Sequence, residues 1–176
     1  MKKIITAFLF LLAIFIFNKI VFVSNSITIE RNKIFDGNNK IYFWRGDGNC
    51  GQNEGMPPMF IMKDNTTLKN IYILNAPDGV HIKGSNIIID RMINLNVCED
   101  AVSTPKEPFY ENIKITNSKF LFCKDKGLQF NNGDNFIIKD NKFIICSQPI
   151  RLPKKSQNYK LINNYMSGVG SGYYLK

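Results

Sequence analysis

Two aspartates, a glutamate, a lysine and an arginine recur at matching points of this chain, and such side chains gathered in one place can hold a hard cation, grip an anion and move a proton. Asp78 lies in Asn75-Ala76-Pro77-Asp78-Gly79-Val80-His81, Asp100 in Val97-Cys98-Glu99-Asp100-Ala101-Val102, and Lys126 in Cys123-Lys124-Asp125-Lys126-Gly127-Leu128. Asp78, Glu99 and Asp100 suit a hard cation such as Ca²⁺, which takes oxygen ligands from several segments and leaves positions for a substrate carboxylate. Lys126 suits proton abstraction, a task a lysine performs in its neutral form. Arg151 suits a bidentate grip on a carboxylate. Each motif alone has a plainer reading: Asp-Gly makes turns, Glu99-Asp100 can be a solvated corner, and lysines are abundant here. Their coincidence at equivalent positions is what favours a site.

That equivalence rests on a repeat. Asn112, Asn135 and Asn158 are spaced 23 and then 23 residues apart, and each opens a similar unit, as in Asn112-Ile113-Lys114-Ile115 and Asn135-Phe136-Ile137-Ile138. Looser units begin near Leu68 and Asn86. A period in this range marks a solenoid or array. The apolar runs are short, rich in Ile, Phe and Tyr, alternate with period 2, and are cut by Asn, Asp and Gly, so they read as strands. No stretch after residue 25 keeps a helical period. The expected fold is an all-β, single-stranded parallel β-helix of about five to six coils, because one coil cannot bury its own apolar face and stacked coils can. Val80 and Ile82, Leu128 and Phe130, Ile150 and Leu152, and Tyr173 and Leu175 are expected to face inward in successive coils. His81, Ser103, Gln129, Arg151 and Tyr174 then face out, with one alignment gap near Gln148.

The length suits one domain, expected over 26-176. Residues 1-25 read as a signal peptide or N-terminal anchor: Lys2 and Lys3 precede an apolar stretch from Ile4 to Phe17 that is short for a membrane span. A secreted, extracellular protein is expected, with membrane attachment only if that segment is retained. The net charge of +9 suits a polyanionic partner. No nucleic-acid module is recognisable, and nucleic acid is not expected as a partner. Cys98, Cys123 and Cys146 fall in one column of the repeat and read as an interior ladder of small apolar side chains rather than a bridge; Cys50 stands apart. His81, the one histidine, reads as an outward strand residue. Arg45-Gly46-Asp47 reads as a turn, and Asn65-Thr66-Thr67 is a glycosylation sequon.

Several of these segments together resemble the pectate lyases of polysaccharide lyase family 3. Ile34-Phe35-Asp36-Gly37, Gly46-Asp47-Gly48, Pro58-Met59-Phe60, Thr67-Leu68-Lys69-Asn70, Ala76-Pro77-Asp78-Gly79-Val80-His81, Glu99-Asp100-Ala101, Asp125-Lys126 with Gln129, and Ile150-Arg151 carry the likeness from about residue 26 to residue 152. The resemblance implies a right-handed parallel β-helix and calcium-dependent β-elimination of polygalacturonate, the polymer of pectin in plant cell walls. It implies Asp78, Glu99 and Asp100 as calcium ligands, Lys126 as base, Arg151 as substrate-binding or charge-stabilising partner, and Lys106, Gln129 and Gln148 as substrate contacts. A monomer is expected. The chain departs from the family at Gln148, where a second lysine is usual, at Lys106, which matches a family lysine one residue late, and at Lys176, where the solenoid stops about two coils short.

Two other readings belong to different classes. A degenerate β-helix could bind pectin without cutting it. A β-helix glycoside hydrolase could use the carboxylates as acid and base or nucleophile, but it gives Lys126 no task.

Overall fold

The computed structural model describes residues 19–47, 55–153, 158–168 and 170, with the backbone of 173–175. Its strands stack in parallel into a β-helix. One sheet holds β2 (Ile27–Ile29), β4 (Pro58–Met62), β6 (Asp78–Ile82), β8 (Val102–Ser103), β11 (Lys126–Gln129), β14 (Gln148–Leu152) and β17 (Tyr173–Leu175), stacked in chain order. The other sheet is bent into two faces. β3 (Ile34–Trp44), β5 (Thr67–Ala76) and β7 (Ile87–Val97) run across both faces. Later coils split the same path into β9 (Glu111–Thr116) with β10 (Lys119–Leu121), β12 (Asp134–Lys139) with β13 (Lys142–Ile144), and β15 (Tyr159–Ile162) with β16 (Tyr165–Ser167). At the start, β1 (Ile20–Val23) pairs with Ile41–Trp44.

Parallel register turns sequence periodicity into columns. Phe60, Val80, Val102, Leu128 and Ile150 stack inside the first sheet, each fully buried. On another wall Phe120 stacks on Phe143 with ring centroids 4.8 Å apart. Burying such side chains contributes roughly 1.5–3 kcal/mol each, which is what holds the coils together.

The corners are made by asparagine. Asn32, Asn65, Asn86, Asn112 and Asn135 all adopt left-handed backbone angles, with φ between 55 and 62°. Asparagine tolerates that region better than other side chains with a Cβ. Its amides also join the coils: Asn65 donates to Asn32 at 3.0 Å, Asn86 to Asn65 at 2.9 Å and Asn112 to Asn86 at 2.8 Å, and Asn135 donates to Asn112. Asn158, expected to open the next unit alike, leaves this ladder; its backbone and side-chain N–H groups donate to Asp134. A second amide set fills the interior bend, where Asn141 Oδ1 accepts from the Ser118 N–H and Asn164 Oδ1 accepts from the Asn141 N–H.

Ile20–Val23, within the segment read as a leader or anchor, pairs in register with β3, while Ile4 to Phe17 lie outside the described residues. One expectation changes. The cysteine column is bridged rather than a reduced ladder: Cys123 and Cys146 form a disulfide with Cα atoms 4.4 Å apart, and Cys98 is disulfide-bonded too. Stacking one coil spacing apart brings two thiols within the span a disulfide needs, so oxidation can close a ladder of cysteines into a bridge. Cys50 lies outside the described residues.

The corner geometry generates a test. Asn112→Ala keeps neither the tolerance for positive φ nor the ladder amide, and should cost about 2 kcal/mol in chemical denaturation. Asn112→Gly keeps the backbone freedom and should cost less than half of that. Equal losses in the two variants would mean that the backbone angle is not what asparagine supplies there.

Candidate functional site

The register of the first sheet settles which side chains meet. Val80 pairs with Val102 and Val102 with Leu128, so Asp78, Asp100 and Lys126, two residues earlier in each strand path, stand on consecutive coils. Gln148 pairs directly with Lys126 on the next coil. Two residues further on, His81 pairs with Ser103, Ser103 with Gln129, and Gln129 with Arg151. The outward column read from the sequence is therefore observed from His81 to Arg151, and Tyr174 pairs in register with Arg151.

Small residues behind the charged ones make this approach possible. A Cβ added to Gly79 would come within 2.2 Å of the Ala101 carbonyl oxygen, and one added to Gly127 would lie 2.6 Å from the Pro149 carbonyl and 2.8 Å from the Phe143 ring. Asp78-Gly79 is thus a strand pair chosen for close packing, not a turn. The same position holds Ala101 after Asp100.

These columns line one cleft of about 540 Å³, bordered by Asp78, His81, Glu99, Asp100, Ser103, Lys106, Asp125, Lys126, Gln129 and Arg151, with Gly55, Thr104, Pro105 and Asn131. Asp78, Asp100 and Lys126 are buried, Glu99 and Arg151 half-buried, and Lys106 exposed. Gln148 is absent from the lining, and its Oε1 is buried with no hydrogen-bond partner among the described residues. Of the predicted residues, the structure unites all but Gln148.

Each carboxylate has a distinct setting. Asp78 Oδ1 accepts from the Asp100 N–H at 3.0 Å, tying two coils, while Asp78 Oδ2 meets His81 Nε2 at 2.8 Å. His81 faces outward as expected, but it also holds the Asp78 carboxylate, a role its place three residues along the same strand could have suggested. Asp100 Oδ1 has no hydrogen-bond partner among the described residues and lies 3.7 Å from Lys126 Nζ. Lys126 Nζ also pairs with Asp125. Sequence reasoning left Asp125 out of the site, although it sits one coil from Glu99 as Lys126 sits one coil from Asp100. On the opposite border, Arg151 Nη1 donates to Gln129 Oε1 at 2.9 Å.

Burial pushes the Asp100 carboxyl up from 3.8 to about 7; Lys126 opposes this, while Asp78, Asp125 and Glu99 add to it. Four carboxylates, Asp78, Glu99, Asp100 and Asp125, border the cleft with Lys106, Lys126 and Arg151. The donor set of hard carboxylate oxygens, with a buried Asp100 oxygen that lacks a hydrogen bond among the described residues, is of the kind that suits calcium. No three carboxylate, cysteine or histidine side chains among the described residues already close around an ion.

With this geometry in view, comparison with known proteins is decisive. A family profile described as pectate lyase matches residues 17–151. The chain belongs to the pectate lyase family. It is also 39% identical over 99 residues to pectate lyase E of Emericella nidulans, a stretch that takes in 54% of this chain and 38% of that protein. The pectate lyase profile spans every predicted site residue, from Asp78 to Arg151.

Asp100 offers a direct check on the electrostatics. Its carboxyl resonance should titrate with a midpoint near 7 by carbon-detected NMR. Lys126→Met should raise that midpoint further, and Asp78→Asn should lower it, because the two neighbours act with opposite sign. Since the folded-state value lies above the unfolded 3.8, the unfolded chain releases this proton first, and the group erodes stability as pH rises from about 4 to about 7. A midpoint near 3.8 would contradict this account of the cleft.

Proposed function

We propose that this protein is an exported pectate lyase that cleaves polygalacturonate by calcium-dependent β-elimination. The observation that carries the reading is the stacking of Asp78, Asp100 and Lys126 on consecutive coils, with Arg151 on the border of the same cleft. Family membership supports the lyase chemistry and a polysaccharide substrate.

In this reading Asp78, Glu99 and Asp100 would hold the calcium, whose charge would supply polarisation of a bound uronate carboxylate and so acidify the neighbouring C5–H. Arg151, oriented by Gln129, pairs with that carboxylate and stabilises the charge that develops on it. Lys126 in its neutral form removes the C5 proton. The C5–H electrons form the C4=C5 double bond, the C4–O bond breaks, and the departing oxygen takes a proton from solvent. Asp125 and Asp100 flank the Lys126 amine and fix its position. Lys106 and Gln129 border the cleft as substrate contacts.

A binding protein that does not cut is the second reading, favoured by one observation. Gln148, directly above Lys126, is uncharged and makes no polar contact through its Oε1. Ultraviolet absorbance of the unsaturated product separates the two. Product is expected with polygalacturonate and calcium and not with chelator. Lys126→Ala should lower the rate by about 10²–10⁴-fold, the usual contribution of a positioned base, while leaving calcium affinity in place. Gln148→Lys should raise the rate. Wild-type protein that binds polygalacturonate yet forms no unsaturated product at any pH would establish the binding reading instead.

A further inference from the structure

Between β8 and β9 the chain runs from the buried Thr104 to the buried Tyr110, and Lys106, two residues past Thr104, is exposed at the border of the cleft. Asn131, on the next coil, holds the base of this loop. Its backbone N–H donates to Thr104 Oγ1 at 2.9 Å and its side-chain Nδ2 to the Thr104 carbonyl at 2.7 Å, while the Thr104 N–H donates to the Gln129 carbonyl at 2.9 Å. The amide, carbonyl and hydroxyl of Thr104 are thus all engaged by one three-residue stretch. Pro105 follows, and a proline fixes its own φ and keeps the residue before it extended. The orientation of Thr104 therefore passes to Lys106 with little slack. The far end of the loop is fixed as well, because the Asp134 N–H donates to the Tyr110 carbonyl at 3.0 Å. Of the cations on the cleft border, Lys126 pairs with Asp100 and Asp125, and Arg151 donates to Gln129. Lys106 has no ion-pair partner among the described residues, although four carboxylates border the same cleft.

We propose that Asn131 is a positioning residue: by holding Thr104 it fixes Lys106 at the cleft border, where the lysine takes a carboxylate of the polysaccharide strand. Anchoring the backbone leaves only the lysine side chain to be ordered on binding, which lowers the entropy lost in making the contact. Without the Asn131 amide, the buried Thr104 carbonyl loses its donor and the base of the loop is free to shift. Asn131 itself borders the cleft, and dependence on Lys106 is what separates a positioning role from a contact of its own. The inference rests on the reading of polygalacturonate as the ligand, though not on its cleavage.

The test is calorimetric titration of a short oligogalacturonate, with calcium present, into Lys126→Ala protein, which leaves the ligand intact. Adding Lys106→Gln should weaken binding by about fivefold, the factor a single exposed charge-assisted contact supplies. Adding Asn131→Ala instead should weaken it by about threefold. With Lys106→Gln already present, Asn131→Ala should weaken it no further, the non-additivity expected of residues that act through one contact. Lys106→Arg keeps the charge and should restore the dependence on Asn131. Thr104→Val removes the hydroxyl acceptor with little change of shape and is the second variant should Asn131→Ala lower the thermal midpoint; its loss should vanish in the same way with Lys106→Gln. Affinity unchanged by Asn131→Ala, or weakened by it equally with and without Lys106→Gln, would overturn the proposal. If binding depends on Asn131 through Lys106 while wild-type protein forms no unsaturated product, the positioning role stands and the cleavage reading falls. Absence of any binding by the Lys126→Ala parent and by wild-type protein would overturn both.

Discussion

Parallel stacking at one coil spacing is the constraint on which everything else depends. Equivalent residues of successive coils are brought to about 4.8 Å from one another, so whatever the repeat places at one position is multiplied along a column. Apolar columns gain from this, as in the Phe120–Phe143 stack. Amide columns gain too, because each asparagine can donate to one neighbour and accept from the other. Columns of carboxylates do not. In the column of Asp78, Asp100 and Lys126, Asp100 is buried between an anion and a cation with one oxygen unpartnered, and its proton is held to about 7. Burial is the main cause, so the column locally costs stability there.

The surrounding structure keeps this arrangement fixed. Gly79, Ala101 and Gly127 let the coils close behind the charged side chains, so larger residues there would push the columns apart. Asp78 accepts from the backbone of the next coil and from His81, which leaves its carboxylate little freedom to turn away. The Cys123–Cys146 disulfide joins the two coils that carry Lys126 and Gln148, a few residues ahead of each. A site built from short strand ends is thus held by backbone pairing on both sides, and its geometry does not depend on a mobile loop.

Much of this was legible in the sequence because a solenoid repeats its instructions. The Asn112 and Asn135 units gave the period, the alternation after each acidic or basic residue gave the facing, and together they placed Asp78, Asp100 and Lys126 in one column. What stayed hidden followed from contacts that the repeat does not encode. Side-chain bonding between His81 and Asp78 lies within one strand, where a period of one coil says nothing. Asp125 looked like a neighbour of Lys126, and its place above Glu99 needs the register of the adjacent column. The cysteine column was visible as a column, but whether stacked thiols stay apart or bond is a matter of oxidation that spacing cannot decide. Ile20–Val23 is apolar enough to read as a continuation of the preceding stretch, and its pairing with β3 is not visible in the sequence.

The proposed calcium site turns on Asp100, a buried carboxylate that must give up its proton to bind a cation. Calorimetric titration with Ca²⁺ at pH 6, in buffers of different ionisation enthalpy, tests this most directly, since a ligand must give up its proton to bind the metal. With the Asp100 carboxyl held to about 7, the account predicts release of close to one proton for each calcium bound, and loss of that release in Asp100→Asn. Calcium binding with no proton release, or with release unchanged in Asp100→Asn, would contradict it.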